Sequence, residues 1–419
     1  MLRSWRAVLL LTVFLQLLGF GIVLPVLPYF GRSLGVGAAG IGGLFAAYSL
    51  TQFLLAPLWG RLADRFGRRP IMLASIGGGI VAYLLFAWAQ SFVVLLASRA
   101  LAGASAAVIG VSQAYMADRT EPDERAREMG LLGAAIGMGF VVGPALGAVL
   151  SRWGYPAVGY VAGGLTAVNL ALAARRLPES LPSDRRRAPG GPARSPRLAG
   201  LRRSGLEGIL AILFLTTASF SIMYPVFPLF VHDRLGFGPM QAGILFSLLG
   251  LVAVLVQGGL LGRLARWIGE RPLLRAGALV MGFGMALLPL PFVRSPAMLG
   301  LVMVPMALGV AVTTPIAQTL LSRLSDPLDQ ASNLGLGLSM TSLARAVGPL
   351  AGGFLFQHLG TPYPFWAAAL LLLGAAGLVA LVPATGERRG LVPEGIGADG
   401  RPQRASREDQ VAASPGLGR

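Results

Sequence analysis

The sequence predicts an all-α membrane protein, with twelve transmembrane helices arranged as two pseudo-symmetric six-helix bundles. Three observations lead there. The 419 residues are 54% hydrophobic and only 13% charged, against roughly a quarter charged in a soluble domain. The charges are clumped, and the apolar stretches between them run about twenty residues, the length of a helix that crosses a bilayer core. Finally, Gly60-Arg61-Leu62-Ala63-Asp64-Arg65-Phe66-Gly67-Arg68-Arg69-Pro70 returns in altered form as Gly262-Arg263-Leu264-Ala265-Arg266-Trp267-Ile268-Gly269-Glu270-Arg271-Pro272. A motif repeated at half the chain length marks a duplicated unit.

The first predicted span, 7–30, follows Arg3 and Arg6, and its apolar run is too long for a cleaved signal core. The second, 39–59, ends at the charged motif, whose Gly60 and Gly67 are expected to allow a tight turn. Next come 71–90 and 92–117, the former apolar on every side, as a helix buried in lipid and protein must be. Span 129–151 carries Gly139, Gly143 and Gly147, a doubled GxxxG spacing that lets another helix approach closely. Pro144 in the same span removes a backbone hydrogen bond and bends it. Span 156–174 closes the first half.

The second half is predicted to span at 207–231, 241–261, 273–292, 297–322, 333–356 and 363–383. Pro25-Val26-Leu27-Pro28 pairs with Pro225-Val226-Phe227-Pro228, and Ala39-Gly40-Ile41 with Ala242-Gly243-Ile244. Val142-Gly143-Pro144 pairs with Val347-Gly348-Pro349, with Gly352 one turn beyond. An even number of spans per half makes the repeats parallel, related by an axis along the membrane normal. The resulting divisions are a first bundle 1–174, a linker 175–206, a second bundle 207–383 and a tail 384–419. The linker is rich in arginine and proline, too poor in apolar residues to fold alone. The tail reads likewise as disordered.

The formal net charge is +17, and all 35 basic residues are arginines. They concentrate in the termini and even-numbered connections; only Arg32, Arg152, Arg234 and Arg294 fall in odd-numbered ones. That split is a positive-inside bias, not a nucleic-acid footprint, and puts both termini in the cytoplasm of a cell-membrane protein. His232 and His358 fall on the external side. The absence of cysteine excludes a disulfide framework and a thiolate metal site, and no cofactor or metal is predicted.

Two arginines lie inside apolar runs. A cation at such depth must face protein, water or an anion. Arg99, Gly103, Ala106, Gly110 and Gln113 share one predicted helical face; Arg99 there snorkels outward, ties down a neighbouring helix or serves a functional role. Arg345, near the middle of its span, is a cavity or coupling candidate, or else a structural hydrogen-bond donor. No Asp or Glu falls mid-span. The cavity should therefore be neutral to positive, with Gln16, Tyr48, Gln113, Asn169, Tyr224, Gln257 and Gln318 as lining candidates, and should favour neutral or anionic amphiphiles. No histidine or paired acid within the spans supports an enzyme, and no phosphate-binding GxxxxGK[ST] loop supports an ATP-driven pump.

The motif at 60–70, placed between the second and third spans, resembles the loop signature of the major facilitator superfamily. The resemblance covers 7–383 and implies that family's fold. It further implies a conformational latch formed by Gly60, Asp64, Arg65, Gly67 and Arg68, with Asp118 beside it; Arg266 replaces the aspartate in the second copy. Arg99 followed by Gly103 is similar to a fourth-span motif to which proton transfer has been ascribed. The 133–147 segment resembles the fifth-span signature of drug/proton antiporters, with Ala148 in place of a second glycine. Its counterpart Gly348-Pro349-Leu350-Ala351-Gly352-Gly353 is more complete. The resemblance thus implies a proton-coupled exporter of small amphiphilic compounds in the lipid bilayer, and the protein is expected to be a monomer. The alternative is an importer or uniporter of a small, possibly anionic, metabolite.

Overall fold

The computed structural model describes residues 4–121, 123–182, 206–325 and 330–382. Residues 183–205 of the predicted linker and the predicted tail lie outside them. Among the described residues twelve long helices follow one another. In the first half they are α1 (Trp5–Ser33, broken by a turn at 24–26), α2 (Ala38–Phe66) and α3 (Arg68–Ala87). They continue as α4 (Phe92–Arg119, broken at 105–107), α5 (Arg125–Leu150) and α6 (Tyr155–Arg176). In the second half they are α7 (Leu206–Leu235), α8 (Pro239–Ile268), α9 (Glu270–Leu287), α10 (Pro296–Leu324), α11 (Gln330–His358) and α12 (Pro362–Leu378). Ten have the length and apolar composition of a membrane span. The other two are α9, with Glu270, Arg271 and Arg275 in its first turns, and α11, which carries Arg345 among glycines and hydroxyl residues.

The repeated motif is mostly helix, which corrects its reading as a loop. α2 continues through Gly60 to Phe66, and Gly60 has open space where a side chain would be. Arg, Leu and Ala are good helix formers and nothing interrupts them. Gly67 alone makes the turn, at φ +104°, and Gly269 makes the second at φ +91°. Only glycine adopts such angles without strain. The Glu179 carboxylate accepts the first free N–H groups of α3, from Arg68 at 2.8 Å and Arg69 at 3.1 Å. Tyr115 donates to the Pro178 carbonyl at 2.7 Å, so the chain after α6 packs back onto the first bundle before leaving it.

Small residues set the helix contacts. A Cβ at Gly143 would lie 2.7 Å from the Gly21 Cα, and one at Gly147 would strike the Ile22 carbonyl, so α5 and α1 meet backbone to backbone. Gly348 and Gly352 hold α11 against α7, at Ala218 and Ile222. Across the halves, Gly42 sits on the Pro349 carbonyl and Gly353 on that of Ala38, joining α2 to α11. A Cβ at Gly243 would lie 2.5 Å from the Pro144 carbonyl oxygen, so α8 and α5 also meet closely.

The two ends of the molecule differ. At the end away from the linker, one apolar cluster runs through both halves, taking in Phe30, Leu44, Phe227 and Phe246. At the arginine-rich end each half has its own, around Tyr115 and Met72 in the first and Leu274 and Leu320 in the second. Polar contacts follow the same division. Tyr29, 6% exposed, donates to the carbonyls of Pro228 at 3.0 Å and Phe237 at 3.2 Å. Arg32 pairs with Asp233 at 2.6 Å, and Gln357 accepts the Ala39 N–H at 2.9 Å. Among the described residues, the hydrogen bonds between the halves all lie at this far end. At the basic end, the pairs of Arg6 with Glu124 and Glu128, Arg68 with Asp64 and Asp118, and Arg323 with Glu270 each stay within a half.

Candidate functional site

A cavity of about 430 Å³ lies against the second bundle, walled on the other side by α5 and the α1 turn. It is ligand-sized. Gly133, Gln257 and Gln318, towards its basic end, are exposed, so it opens there. Its chemistry is one-sided. The first half contributes Leu24, Gly133, Ile136, Gly137, Phe140 and Pro144, none with a polar side chain. Among the described residues every polar side chain comes from the second half, including Ser221, Tyr224, Gln257, Gln318, Thr341 and Arg345.

Local structure explains these positions. Thr217, Ser221 and Tyr224 follow an i, +4, +7 spacing that puts them on one side of α7. Gln257 lies in a short π-helical segment of α8, Val256–Leu260, and donates to the Ala311 carbonyl of α10 at 3.3 Å. Such segments widen a helix by one residue and shift the face that follows. Arg345 donates from Nη2 to Ser342, one turn back on α11, at 3.0 Å. No ion pair holds it among the described residues.

Of the residues singled out in the sequence, Tyr224, Gln257, Gln318, Arg345 and Pro144 line the cavity. Gln16, Tyr48, Gln113 and Asn169 do not. Gln16 is half-buried on α1, and Gln113 is exposed on α4. Asn169 is buried and donates to the Thr12 carbonyl at 3.3 Å, a tie between α6 and α1. Tyr48 packs against Phe20, ring centroids 5.1 Å apart, and lies within electrostatic reach of both Arg99 and Arg345.

Arg99 is also outside the cavity. It is 4% exposed, packed inside the first bundle with its guanidinium 5.0 Å from the Phe86 ring centre. Its Nη2 has no hydrogen-bond partner. The single polar face predicted from Arg99 to Gln113 is not continuous, because α4 breaks between them. Ser75 donates to the Ser105 carbonyl and accepts the Ala107 N–H, and Trp59 donates to the Ala104 carbonyl at 2.6 Å. These side chains satisfy backbone groups freed by the break. Arg99 and Gly103 are buried before it, Gly110 and Gln113 exposed after it.

At the basic end, Arg68 lies between two acids, 2.6 Å from Asp64 and 3.2 Å from Asp118. Ser180 adds a donor to Asp118 at 3.1 Å. Arg65 is exposed and stacks over Phe66. Residues missed in the sequence are Glu179, which holds the α2–α3 turn, and the hydroxyls of Ser221 and Thr341. The first was legible as a lone acid directly after α6; the spacing on α7 pointed to Ser221.

The family model described as Major Facilitator Superfamily matches residues 9–306 and 260–402. The tetracycline resistance protein, class C, of Escherichia coli is 32% identical over 91% of this chain and 96% of its own. Multidrug resistance protein 1 of Bacillus subtilis (strain 168) is 30% identical over 87% of this chain and 92% of its own. Among solved structures, the human organic anion transporter MFSD10 superposes with a TM-score of 0.65 at 27% identity. It covers 90% of this chain, which in turn covers 99% of it.

Proposed function

From the premise that this chain belongs to the Major Facilitator Superfamily, we propose that it is a proton-coupled exporter of small amphiphilic compounds. It is a multi-pass membrane transporter of that family rather than an enzyme. The observation that carries the reading is the cavity, open at the arginine-rich end and shut at the other by Tyr29, Arg32 and the shared apolar cluster. With the arginine-rich end in the cytoplasm, this is the state that loads substrate from inside the cell. Rocking of the halves about the α2–α11 and α5–α8 contacts would then expose the cavity outside. Resistance relatives, named for tetracycline and for multiple drugs, support the outward direction.

In this reading Asp64, Arg68 and Asp118 form the latch of the basic end, with Gly67 fixing its turn and Gly60 and Arg65 beside it. Arg99, Asp64 and Asp118 are the coupling groups available for proton flow. The protein works as a monomer. Arg345 in the cavity also suits uptake or uniport of an anionic metabolite, and direction of flux separates the two.

Proteoliposomes containing the full chain test the proposal. With an imposed pH gradient, an amphiphile should move against its own gradient and carry protons the other way. Flux indifferent to the pH gradient would overturn proton coupling, and flux only towards the basic end would favour uptake.

A further inference from the structure

One position of the duplicated unit holds opposite chemistries in the two halves. Gly143 and Gly348 correspond, so the residues three before them, Phe140 on α5 and Arg345 on α11, correspond as well. Both line the cavity. The wall around Phe140 is apolar, formed with Leu24, Ile136 and Pro144. The wall around Arg345 is polar, formed with Ser221, Tyr224 and Thr341. The cavity therefore has a greasy side and a cationic side.

The cationic side is unbalanced. Among the described residues no Asp or Glu lines the cavity, and the one hydrogen bond of Arg345 uses a single one of five guanidinium N–H donors. Tyr224 and Tyr48 are within electrostatic reach, and both are neutral phenols. A second polar group is also unused. Ser221 is 1% exposed, its Oγ has no partner, and it packs against Gly348, one turn from Arg345. A cation in a mostly apolar cavity is costly unless an anion or water meets it. A carboxylate or sulfonate can take two parallel N–H bonds from one guanidinium.

We propose that the cavity binds amphiphilic monoanions head-first, with the acid group on Arg345 and Ser221 and the apolar body along the Phe140 wall. This rests on the reading of the cavity as a substrate site, and it names the substrate class. The second bundle holds the head and the first bundle holds the tail. Permanent cations are disfavoured, because nothing in the described lining neutralises them.

Three probes with one apolar body and different heads test it: 4-octylbenzoate, its methyl ester, and 4-octylbenzyltrimethylammonium. Binding is measured by calorimetry on the purified full chain in nanodiscs, and transport by counterflow in proteoliposomes. The benzoate should bind tightest. Arg345→Gln should weaken it roughly ten- to hundredfold, the range of a hydrogen bond to a charged group, and weaken the uncharged ester far less. Arg345→Lys should retain part of the affinity, and Phe140→Ser should weaken all three probes alike. Retained ester binding shows that a variant is folded; if Arg345→Gln is not, Arg345→Lys and Ser221→Ala carry the test. Equal affinity for benzoate and ammonium, or benzoate affinity untouched by these variants, overturns the proposal. Benzoate that binds through Arg345 yet never moves would instead refute transport and leave the subsite standing. Transport that ignores head charge would do the reverse.

Discussion

The two halves repeat one scaffold and place different charges on it. Their turn glycines match, Gly67 at φ +104° and Gly269 at φ +91°, as do the packing glycines Gly143 and Gly348. The charges beside them do not. Arg68 sits between Asp64 and Asp118, whereas its counterpart Glu270 takes Arg323 at 3.1 Å, with Arg266 in the place of Asp64. Counted over these residues alone, Asp64, Arg68 and Asp118 leave an excess acid, and Arg266, Glu270 and Arg323 leave an excess base. The buried arginines differ too. The first half hides Arg99 inside its own bundle, at a position that counting from the matching caps Ser91 and Ser295 gives to Met303 in the second. The second half turns Arg345 into the cavity. Backbone geometry leaves a duplicated fold little latitude, while side-chain charge can diverge wherever a neighbour or solvent compensates it.

The comparison breaks most readily at the arginines. Arg99 is buried with an unpartnered nitrogen, so Arg99→Met should raise thermal stability in detergent. Replacing a buried charge with apolar atoms is worth about 1–4 kcal/mol. Transport should fall at least tenfold in the same variant. Arg345→Met should leave the melting temperature nearly unchanged. A drop in stability for Arg99→Met would mean that the first half needs its cation structurally.

The turns come next. Gly67→Ala forces a side chain into a positive-φ position and onto the Glu179 carboxylate, 2.5 Å from the new Cβ. Gly269→Ala meets nothing closer than 3.6 Å and bears only the backbone strain. The expected losses are more than about 2 kcal/mol and about 1 kcal/mol respectively, read from denaturation midpoints. Equal losses would remove the special role given to Glu179.

A smaller effect sharpens the charge inversion. Asp64→Asn should cut transport about tenfold, or about 1.4 kcal/mol of barrier, with stability changed by less than about 1 kcal/mol. Arg266→Gln should cost less than about threefold on the same scale. Identical losses would make the two clusters equivalent latches.

The smallest concerns the far end. Arg32 and Asp233 are each about 40% exposed, so Arg32→Ala should weaken closure by only about 0.2–1 kcal/mol. Single cysteines introduced near Tyr29 into this cysteine-free chain should label slightly faster. The swapped pair Arg32→Asp with Asp233→Arg should return labelling to the starting rate.

The order of helices was legible because a bilayer demands about twenty apolar residues for each crossing, and the duplication because its motif is charged and lies between two such runs. Side-chain surroundings were less so. Spacing alone put Arg99 and Gln113 on one face; the Ser75 contacts that break α4 between them come from a different helix. Asn169 and Gln257 look alike in sequence, yet one ties two helices within the first bundle and the other reaches the cavity.

By itself, then, the sequence determined the membrane environment, the twelve crossings and the two-fold repeat, since these follow from local composition and period. Only the tertiary structure decided which end is shut, which half supplies the polar wall, and which buried arginine meets the cavity. Those depend on contacts between residues far apart in the chain, such as Tyr29 with Pro228, and no local pattern encodes which partner a side chain will find.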